Sequence, residues 1–365
     1  MENPDYLSQQ LITYLGNKRA LLDFVSKGLR RVLTRLGQTK ISTFDVFSGS
    51  GVVARYLKQF SSRLIANDLE RYSQIINLCY LANPSELPLA ELRDLHRRFS
   101  EDLATKPPRE GFVQRLYAPS DDTAIQRGER VFYTARNARY LDTARQWISE
   151  LAPHLQPYLL GPLLSQASIH ANTAGVFKGF YKDSGTGRGK FGGRKGDALS
   201  RILAPIEVPF PLFSSFECPF EVYREDANAL VRRIGGVDLA YLDPPYNQHP
   251  YGSNYFMLNL LADYQEPTEI SLVSGIPAGW NRSSYNRKAW ALDSLGDLVE
   301  NLNARFLMIS FNSEGFIPQA QMEALLRHHG ALEVLQTRYN TFRGSRNLRG
   351  RNLHVREYLY LLEKS

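Results

Sequence analysis

The chain has 365 residues, and its 44 lysines and arginines outnumber 37 acidic residues, so the net charge is +7 and the pI is near 9.2. A hydrophobic content of 43% supports a substantial core, but no apolar run predicts a signal peptide or a membrane span. Cys79 and Cys218 are too few for a disulfide framework or a thiolate metal site, so we expect a cytoplasmic globular protein with no metal.

The first part of the chain predicts a nucleotide-binding fold. Apolar residues with helical spacing follow residue 19, and residues 42–47 predict a buried strand that Gly49 and Gly51 terminate. Residues 52–60 then have helical character, residues 63–68 predict a second strand that ends in Asp68, and residues 72–81 predict a helix. This succession indicates a βαβ unit.

The middle of the chain, residues 85–218, has a different composition. Its first half is helical and rich in charges, whereas its second half is rich in glycine, proline and aromatic residues. Between Lys182 and Arg201, six basic residues and six glycines predict a basic loop. We therefore expect an inserted, mostly helical domain over residues 85–218 and a sheet domain formed by residues 1–84 and 219–365.

Strand-like segments return after the insert, at residues 220–223, 238–242, 305–311, 331–339 and 354–362. The last two predict a closing antiparallel pair. Residues 338–351, which include most of the segment between these two strands, contain five arginines and no acid. The chain as a whole therefore predicts an α/β fold in which a helical insert interrupts one sheet.

The glycine turn after the first strand has the spacing of a nucleotide-binding loop. Gly49, Gly51 and Ala54 follow the G-x-G-x-x-A pattern, and Asp68 lies seventeen residues beyond the second glycine. Glycines let the backbone approach a ligand, and an acid at the end of the next strand can bind two ribose hydroxyls. The pattern suits a nicotinamide dinucleotide as well as S-adenosylmethionine, and a purely structural turn also stays open.

A second motif, DPPY, follows the predicted strand at residues 238–242 and consists of Asp243, Pro244, Pro245 and Tyr246. The two prolines hold an acid, a free carbonyl and an aromatic face in one rigid turn. An adenine amine is a poor nucleophile, but Asp243 and the carbonyl of Pro244 could accept its two hydrogens. Tyr246 could stack on the base, a contact worth about 1–3 kcal/mol. The alternative is an ordinary strand-terminating turn.

These motifs, together with YLGNKR at residues 14–19, resemble the D12 class of DNA adenine-N6 methyltransferases, which includes the Dam-like enzymes. Their order, with the insert between the glycine loop and the catalytic turn, is similar to the α arrangement of that family. The resemblance implies a Rossmann-like class I fold that transfers methyl from S-adenosylmethionine to a flipped-out adenine by direct in-line displacement. It implies double-stranded DNA as partner, admits a cognate restriction endonuclease, and leads us to expect a monomer.

The resemblance also implies roles for individual residues. Tyr14, Gly16 and Lys18 would hold the methionine end of the cofactor, with Lys18 as the partner of its carboxylate. Asp68 would bind the ribose, Asp226 would approach the cofactor adenine, and Asp243 would lie against the cofactor as well as the target. The cofactor loop itself would consist of Asp45, Phe47, Ser48, Gly49, Ser50 and Gly51.

Contacts to DNA are expected from the insert, from the loop after the catalytic turn and from the C-terminal arginines. Residues 171–182 and 192–197 resemble segments of adenine methyltransferases found beside type IIS restriction enzymes. We expect residues 247–256 to form a lid over the target pocket, with His249 a loop residue rather than a base. The expected DNA contacts are Lys178, Lys182, Arg194, Lys195, Tyr251, Asn254, Arg343 and Arg346.

Three other functions stay open at this point. An RNA amino-methyltransferase can carry the same catalytic turn, but it would leave so large an insert unexplained. A nicotinamide-dependent oxidoreductase would explain the glycine loop, but not the catalytic turn or the C-terminal arginines. A catalytically silent DNA-binding protein would need no catalytic carboxylate, so replacing Asp243 would change nothing.

Overall fold

The computed structural model describes residues 2–340, apart from 194, 195 and 197, and residues 354–365. Within these residues seven strands form one sheet. The strands are β1 (Ile41–Asp45), β2 (Ser61–Asn67), β3 (Phe220–Tyr223), β4 (Val237–Leu242), β5 (Ala304–Asn312), β6 (Gly330–Asn340) and β7 (His354–Lys364). Each lies within a few residues of the segment that the apolar pattern predicts.

The order of strands across the sheet is β3-β2-β1-β4-β5-β7-β6. Strands β1 to β5 are parallel to one another, whereas β7 pairs antiparallel with both β5 and β6. The predicted closing pair is therefore confirmed, with β7 inserted between β5 and β6. The order reverses direction between β1 and β4, and at such a switch point the loops after the two strands diverge and leave a crevice.

Helices cover both faces of the sheet, and the named elements within the described part of the insert are all helices, which cover less than half of it. The first group is α1 (Pro4–Ser8), α2 (Leu22–Leu36), α3 (Val52–Leu57) and α4 (Arg71–Tyr80). The insert contains α5 (Leu89–Thr105), α6 (Phe112–Tyr117), α7 (Ala135–Ser149), α8 (Pro157–Ile169) and α9 (Leu199–Leu203). The last group is α10 (Ala227–Leu230), α11 (Tyr251–Asn254), α12 (Phe256–Asp263), α13 (Ala291–Asn301) and α14 (Gln319–Arg327).

The helical insert shares its hydrophobic core with the sheet domain. One cluster of buried side chains joins α6, α7 and α8 to α4 and α12, which flank the sheet. The middle of α8 is mostly apolar on all sides, because this helix packs between α7 of the insert and α4 of the sheet domain. The first half of the insert is thus helical, whereas the described part of residues 170–218 contains only α9 and otherwise runs as irregular chain, so the expectation of a mostly helical insert holds for the first half alone. The helical half packs onto α4 and α12. Among the described residues, no helix is long and apolar enough to span a bilayer.

Candidate active site at the switch point of the sheet

A cleft opens where the loops after β1 and β4 diverge. The glycine loop follows β1 and the DPPY turn follows β4, so both motifs reach the same edge of the sheet. The cleft encloses about 840 Å³, including its open mouth, which is in the size range of small-molecule sites. Predicted site residues that line it are Tyr14, Gly16, Lys18, Asp45, Phe47, Ser48, Gly49, Ser50, Asp68, Asp226, Asp243, Pro245 and Tyr251.

The glycine loop depends on its glycines for both conformation and space. Gly49 and Gly51 have φ angles of 52° and 73°, in the left-handed region that favours glycine. A Cβ atom on Gly49 would lie 2.8 Å from the ring of Tyr14, which covers the loop. Gly51 lies behind the cleft, where its N–H donates to the carbonyl of Ser48 and a Cβ would meet Asn77.

Asp45 ends β1 and carries the most isolated carboxylate of the cleft. It is 1% exposed, and within the part of the chain that the structure describes neither oxygen has a hydrogen-bond partner. Burial raises the pKa of Asp45 well above its usual value, and the charges of Asp243 and Asp68 raise it further. The backbone N–H groups of Ala54 and Phe47 oppose this rise, although neither reaches full hydrogen-bond geometry. A buried carboxylate without a partner is costly, so this position is suited to a cationic ligand.

Asp68 and Glu70 stand together at the end of β2. The two oxygens of Asp68 accept the backbone N–H groups of Gly49, at 2.7 Å, and of Glu70, at 2.9 Å, so Asp68 also holds the glycine loop in place. Burial raises the pKa of Asp68 to about 6 and that of Glu70 to about 7. Sequence reasoning missed Glu70, although its acidic side chain in the same short turn was a usable signal.

The other wall of the cleft contains Phe47, Asp226 and Tyr285. Phe47 meets Tyr285 edge to face, with ring centroids 5.2 Å apart. The Asp226 carboxylate caps α10 by accepting the N–H of Ala229. Tyr285 was not predicted, because the connection between α12 and α13 contains no recognisable motif. Further lining residues that were not predicted are Asn281, Ser283, Asn286 and Glu225.

Lys18 has different partners from the one that its motif implies. Its Nζ lies 3.1 Å from Oδ1 of Asp243 and 2.9 Å from Oε1 of Glu357, and Lys18 is 4% exposed. Burial by itself lowers the pKa of Lys18, but the two carboxylates outweigh burial and raise that pKa well above its usual value. The ammonium therefore pairs with carboxylates of the DPPY turn and of β7, and because Lys18 also lines the cleft, its contact with a cofactor carboxylate stays a prediction.

The DPPY turn presents its acid to the cleft and anchors its aromatic ring. Burial raises the pKa of Asp243 to about 6, and the nearby charge of Lys18 opposes this rise. Pro244 is buried behind the turn. The Tyr246 ring packs edge-on against Phe311, with centroids 5.9 Å apart, and its carbonyl accepts the N–H of Phe316 at 3.0 Å. The turn is thus fixed by contacts outside itself.

The predicted lid over residues 247–256 is wrong for its second half, because α11 and the start of α12 pack inward, whereas residues 247–250 form an irregular segment with Gln248 and His249 exposed. Tyr251 stacks on Tyr14, with centroids 5.0 Å apart, and its hydroxyl donates to the carbonyl of Leu15. Asn254 is 2% exposed, and its carbonyl accepts the N–H of Phe177. The DNA contacts predicted for Tyr251 and Asn254 are corrected accordingly: Tyr251 lines the cleft, and Asn254 joins the turn to the insert.

Two of the predicted basic contacts are described and exposed. Lys178 approaches the imidazole of His249, a loop residue, with 3.4 Å between Nζ and Nδ1. Lys182 lies over the ring of Phe180 and opens a short hairpin in which residues 182 and 189 pair. Both lysines lie within five residues of Phe177, whose N–H donates to the carbonyl of Asn254 after the DPPY turn. The other four predicted basic contacts lie outside the described residues: Arg194, Lys195, Arg343 and Arg346.

The known proteins that this chain resembles in sequence are methyltransferases. A sequence profile described as D12 class N6 adenine-specific DNA methyltransferase matches residues 14–184 and 204–324. The type II methyltransferase M.NlaIII of Neisseria lactamica is 30% identical over 363 residues, which cover 97% of this chain and 100% of that protein. M.CviAII of Paramecium bursaria Chlorella virus 1 is 31% identical over 96% of this chain and 98% of its own. M.FokI of Planomicrobium okeanokoites is 26% identical, and the match spans 52% of its length.

Proposed function

The chain belongs to the D12 class of N6 adenine-specific DNA methyltransferases, and we propose which of its residues perform each part of that reaction. The reaction is the site-specific methylation of adenine in DNA, with S-adenosylmethionine as methyl donor. Membership of this family sets aside the nicotinamide-dependent and RNA-directed interpretations of the motifs. The roles below concern the chain's own side chains.

The cleft contains the carboxylates and aromatic rings that can hold S-adenosylmethionine. When bound, this cofactor supplies an electrophilic methyl group on a sulfonium centre. Asp45 accepts hydrogen bonds from the ammonium of its methionine part, since that carboxylate is buried and has no partner among the described residues. Asp68 and Glu70 hold the ribose hydroxyls, and Phe47 and Tyr285 enclose the adenine ring beside Asp226. Tyr14 closes the cleft over the glycine loop.

The observation that carries the assignment is the position of Asp243 in the same cleft as the glycine loop. The Asp243 carboxylate and the Pro244 carbonyl accept the two hydrogens of the adenine amine, which turns the nitrogen lone pair toward the methyl group. Tyr246 stacks on the base. In a direct in-line displacement the amine nitrogen would bond to the methyl carbon as the bond from that carbon to sulfur breaks, and S-adenosylhomocysteine would leave. The methylated amine would then release its proton to water without a dedicated base.

The target adenine has to leave its duplex, because the turn lies inside a cleft that a paired base cannot enter. Residues 85–218 form the target-recognition domain in this proposal, and residues 1–84 and 219–365 form the catalytic domain. Lys178 and Lys182 contact phosphates near the extruded nucleotide. A single chain supplies both motifs of the cleft, so we propose that the enzyme acts as a monomer, which the mass of its DNA complex in light scattering would test.

The function is tested by incubating the protein with labelled S-adenosylmethionine and mixed-sequence duplex DNA, followed by nucleoside analysis. We expect the label in N6-methyladenine and no transfer by Asp243→Ala. Label in cytosine, in structured RNA or in no nucleoside, from protein that binds the cofactor, would contradict the proposal.

We also propose that the enzyme is the modification partner of a restriction endonuclease. The support is that M.NlaIII and M.CviAII, which match over nearly their full length, are named type II methyltransferases. Sequencing of methylated DNA gives the recognition site of this chain. DNA modified in this way should resist one endonuclease from the same source organism, and cleavage of fully modified DNA by every endonuclease of that organism would contradict the pairing.

A further inference from the structure

Glu357 is a buried carboxylate beside the catalytic turn. It lies on β7, is 2% exposed, and stands opposite Asn312 of β5. Its Oε1 accepts from the ammonium of Lys18 at 2.9 Å and from the hydroxyl of Ser310 at 2.7 Å. Burial of a carboxylate is costly unless a charge and hydrogen bonds compensate it. The ammonium that compensates Glu357 is the same one that contacts Asp243.

Lys18 therefore serves two carboxylates at once. Its Nζ contacts Asp243 at 3.1 Å and Glu357 at 2.9 Å. Lys18 and Glu357 are nearly closed to water, and Asp243 is partly exposed in the cleft, so the ammonium interacts strongly with both carboxylates. Each carboxylate weakens the ion pair between Lys18 and the other carboxylate. Glu357 therefore sets how strongly the ammonium of Lys18 interacts with the carboxylate of Asp243.

We propose that Glu357 is a positioning residue for methyl transfer, which fixes Lys18 beside the catalytic turn and, by sharing its ammonium, keeps Asp243 a strong acceptor for the target amine. This inference rests on the proposed role of Asp243. With Asp243 as its sole partner, Lys18 would bind that carboxylate more tightly and make it a weaker acceptor. Without Lys18, the carboxylate would be protonated more readily in its buried position.

The charges around Asp243 give this proposal a measurable consequence. Burial raises the pKa of Asp243 to about 6, Lys18 lowers that pKa, and Glu357 raises it. The tyrosines around the site keep their protons in this range, because their pKa values are all raised. The groups that face Asp243 are Lys18 of the N-terminal motif, Glu357 of β7, Asp45 of β1, Tyr241 of β4, Tyr246 of the turn and Tyr251 of α11.

The test is Glu357→Gln, which keeps the shape and a hydrogen-bond acceptor but removes the charge. Single-turnover methylation at saturating cofactor and DNA is measured from pH 5 to pH 9. We expect the plateau rate to fall roughly tenfold and the acid midpoint to move below that of the wild type, by about half a pH unit or more. The matched control is Glu363→Gln, on the same strand, where Glu363 pairs with Arg35 and Arg305 at the surface. It should leave both values unchanged.

An unchanged plateau and midpoint in Glu357→Gln would overturn the proposal. A lower plateau with an unmoved midpoint would overturn it as well, because a merely structural role has that signature. Should this variant fail to fold, Ser310→Ala decides. That substitution leaves the Glu357 carboxylate to Lys18 alone, which loosens Lys18 from Asp243 and moves the acid midpoint upward, and an unmoved midpoint contradicts the idea. Wild-type protein that makes no N6-methyladenine would instead refute the proposed function itself.

Discussion

Two carboxylates, the buried Asp45 and the partly buried Asp243, stand at the ends of the neighbouring parallel strands β1 and β4, yet their surroundings differ. Asp243 has an ammonium at 3.1 Å, provided by Lys18. Asp45 has no ion pair of this kind among the described residues, and neither of its oxygens has a hydrogen-bond partner there. Burial raises the pKa of both, to about 6 for Asp243 and well above the usual value for Asp45.

This difference in partners assigns the two carboxylates different roles: Asp243 acts in the methyl transfer, and Asp45 binds the cofactor. A carboxylate that must accept hydrogen bonds from a neutral amine has to be ionised before the substrate arrives, and the chain supplies a cation to keep it so. A carboxylate that binds a cationic ligand is completed by that ligand, and its charge is destabilising until then. The next four predictions test this division and the DNA contacts that stand apart from it, in order of decreasing expected effect.

The largest effect is expected at the catalytic carboxylate. Asp243→Asn keeps the shape of the side chain but exchanges half of its acceptor capacity for a donor, so the rate of methyl transfer should fall roughly 10²–10⁴-fold. The rate is measured as N6-methyladenine formed in a single turnover. Asp238→Asn is the control, because Asp238 lies at the other end of β4 and binds Ser42. Equal losses in the two variants would show that the effect is structural.

Asp45→Asn should weaken the binding of S-adenosylmethionine by about 10–100-fold, since a hydrogen bond to a charged group contributes about 1.5–3 kcal/mol. Calorimetric titration measures this affinity. Burial raises the pKa of Asp45, so its contribution to the stability of the cofactor-free protein is lost as pH rises above the ordinary pKa of an aspartate. At pH 7 the cofactor-free variant should therefore melt higher than the wild type, and a lower Tm would contradict this interpretation.

Lys18→Met should shift the pH dependence of methylation. Asp243 works in its ionised form, so the wild-type rate falls as pH decreases through about 6. Lys18 lowers the pKa of Asp243, and without it the acid limb should move above 6 and reduce the rate at pH 7 several-fold. Lys27→Met, at an exposed position of α2, serves as the control. A limb that stays in place would separate Lys18 from the ionisation of Asp243.

The smallest effect is expected on the DNA side. Lys178→Ala and Lys182→Ala should each weaken DNA binding a few-fold and reduce the slope of log affinity against log salt by about 0.9. The single-turnover rate at saturating DNA should not change. Arg327→Ala, on α14 beside the edge strand β6, is the control. An unchanged salt slope would place the phosphates elsewhere.

Local patterns in the sequence predict most of the fold, because each strand is a short apolar run with its own boundaries. The glycine loop and the DPPY turn are predictable for the same reason, since each motif is contiguous. The partners of Lys18 are not, because Glu357 is 339 residues away in the chain. One signal was present: Glu357 occupies an inward position between Val355 and Leu359, where the alternation of β7 calls for an apolar residue.

The segment after the catalytic turn shows where composition misleads. Its polar and aromatic residues resemble an open loop, which is why a lid and surface contacts at Tyr251 and Asn254 were expected. In the structure, Tyr251 and Tyr255 both stack on Tyr14, at 5.0 and 4.9 Å between centroids. A tertiary contact with the N-terminal motif, which no local pattern encodes, thus decides the conformation of this segment.

The most direct test of the central claim is a single-turnover titration of S-adenosylmethionine with Asp45→Asn and Asp243→Asn side by side. We predict opposite defects: Asp45→Asn needs far more cofactor to saturate but then approaches the wild-type rate, whereas Asp243→Asn saturates normally at a rate reduced at least about 100-fold. If both variants showed the same combination of weakened saturation and reduced maximal rate, the two carboxylates would not divide binding and chemistry between them.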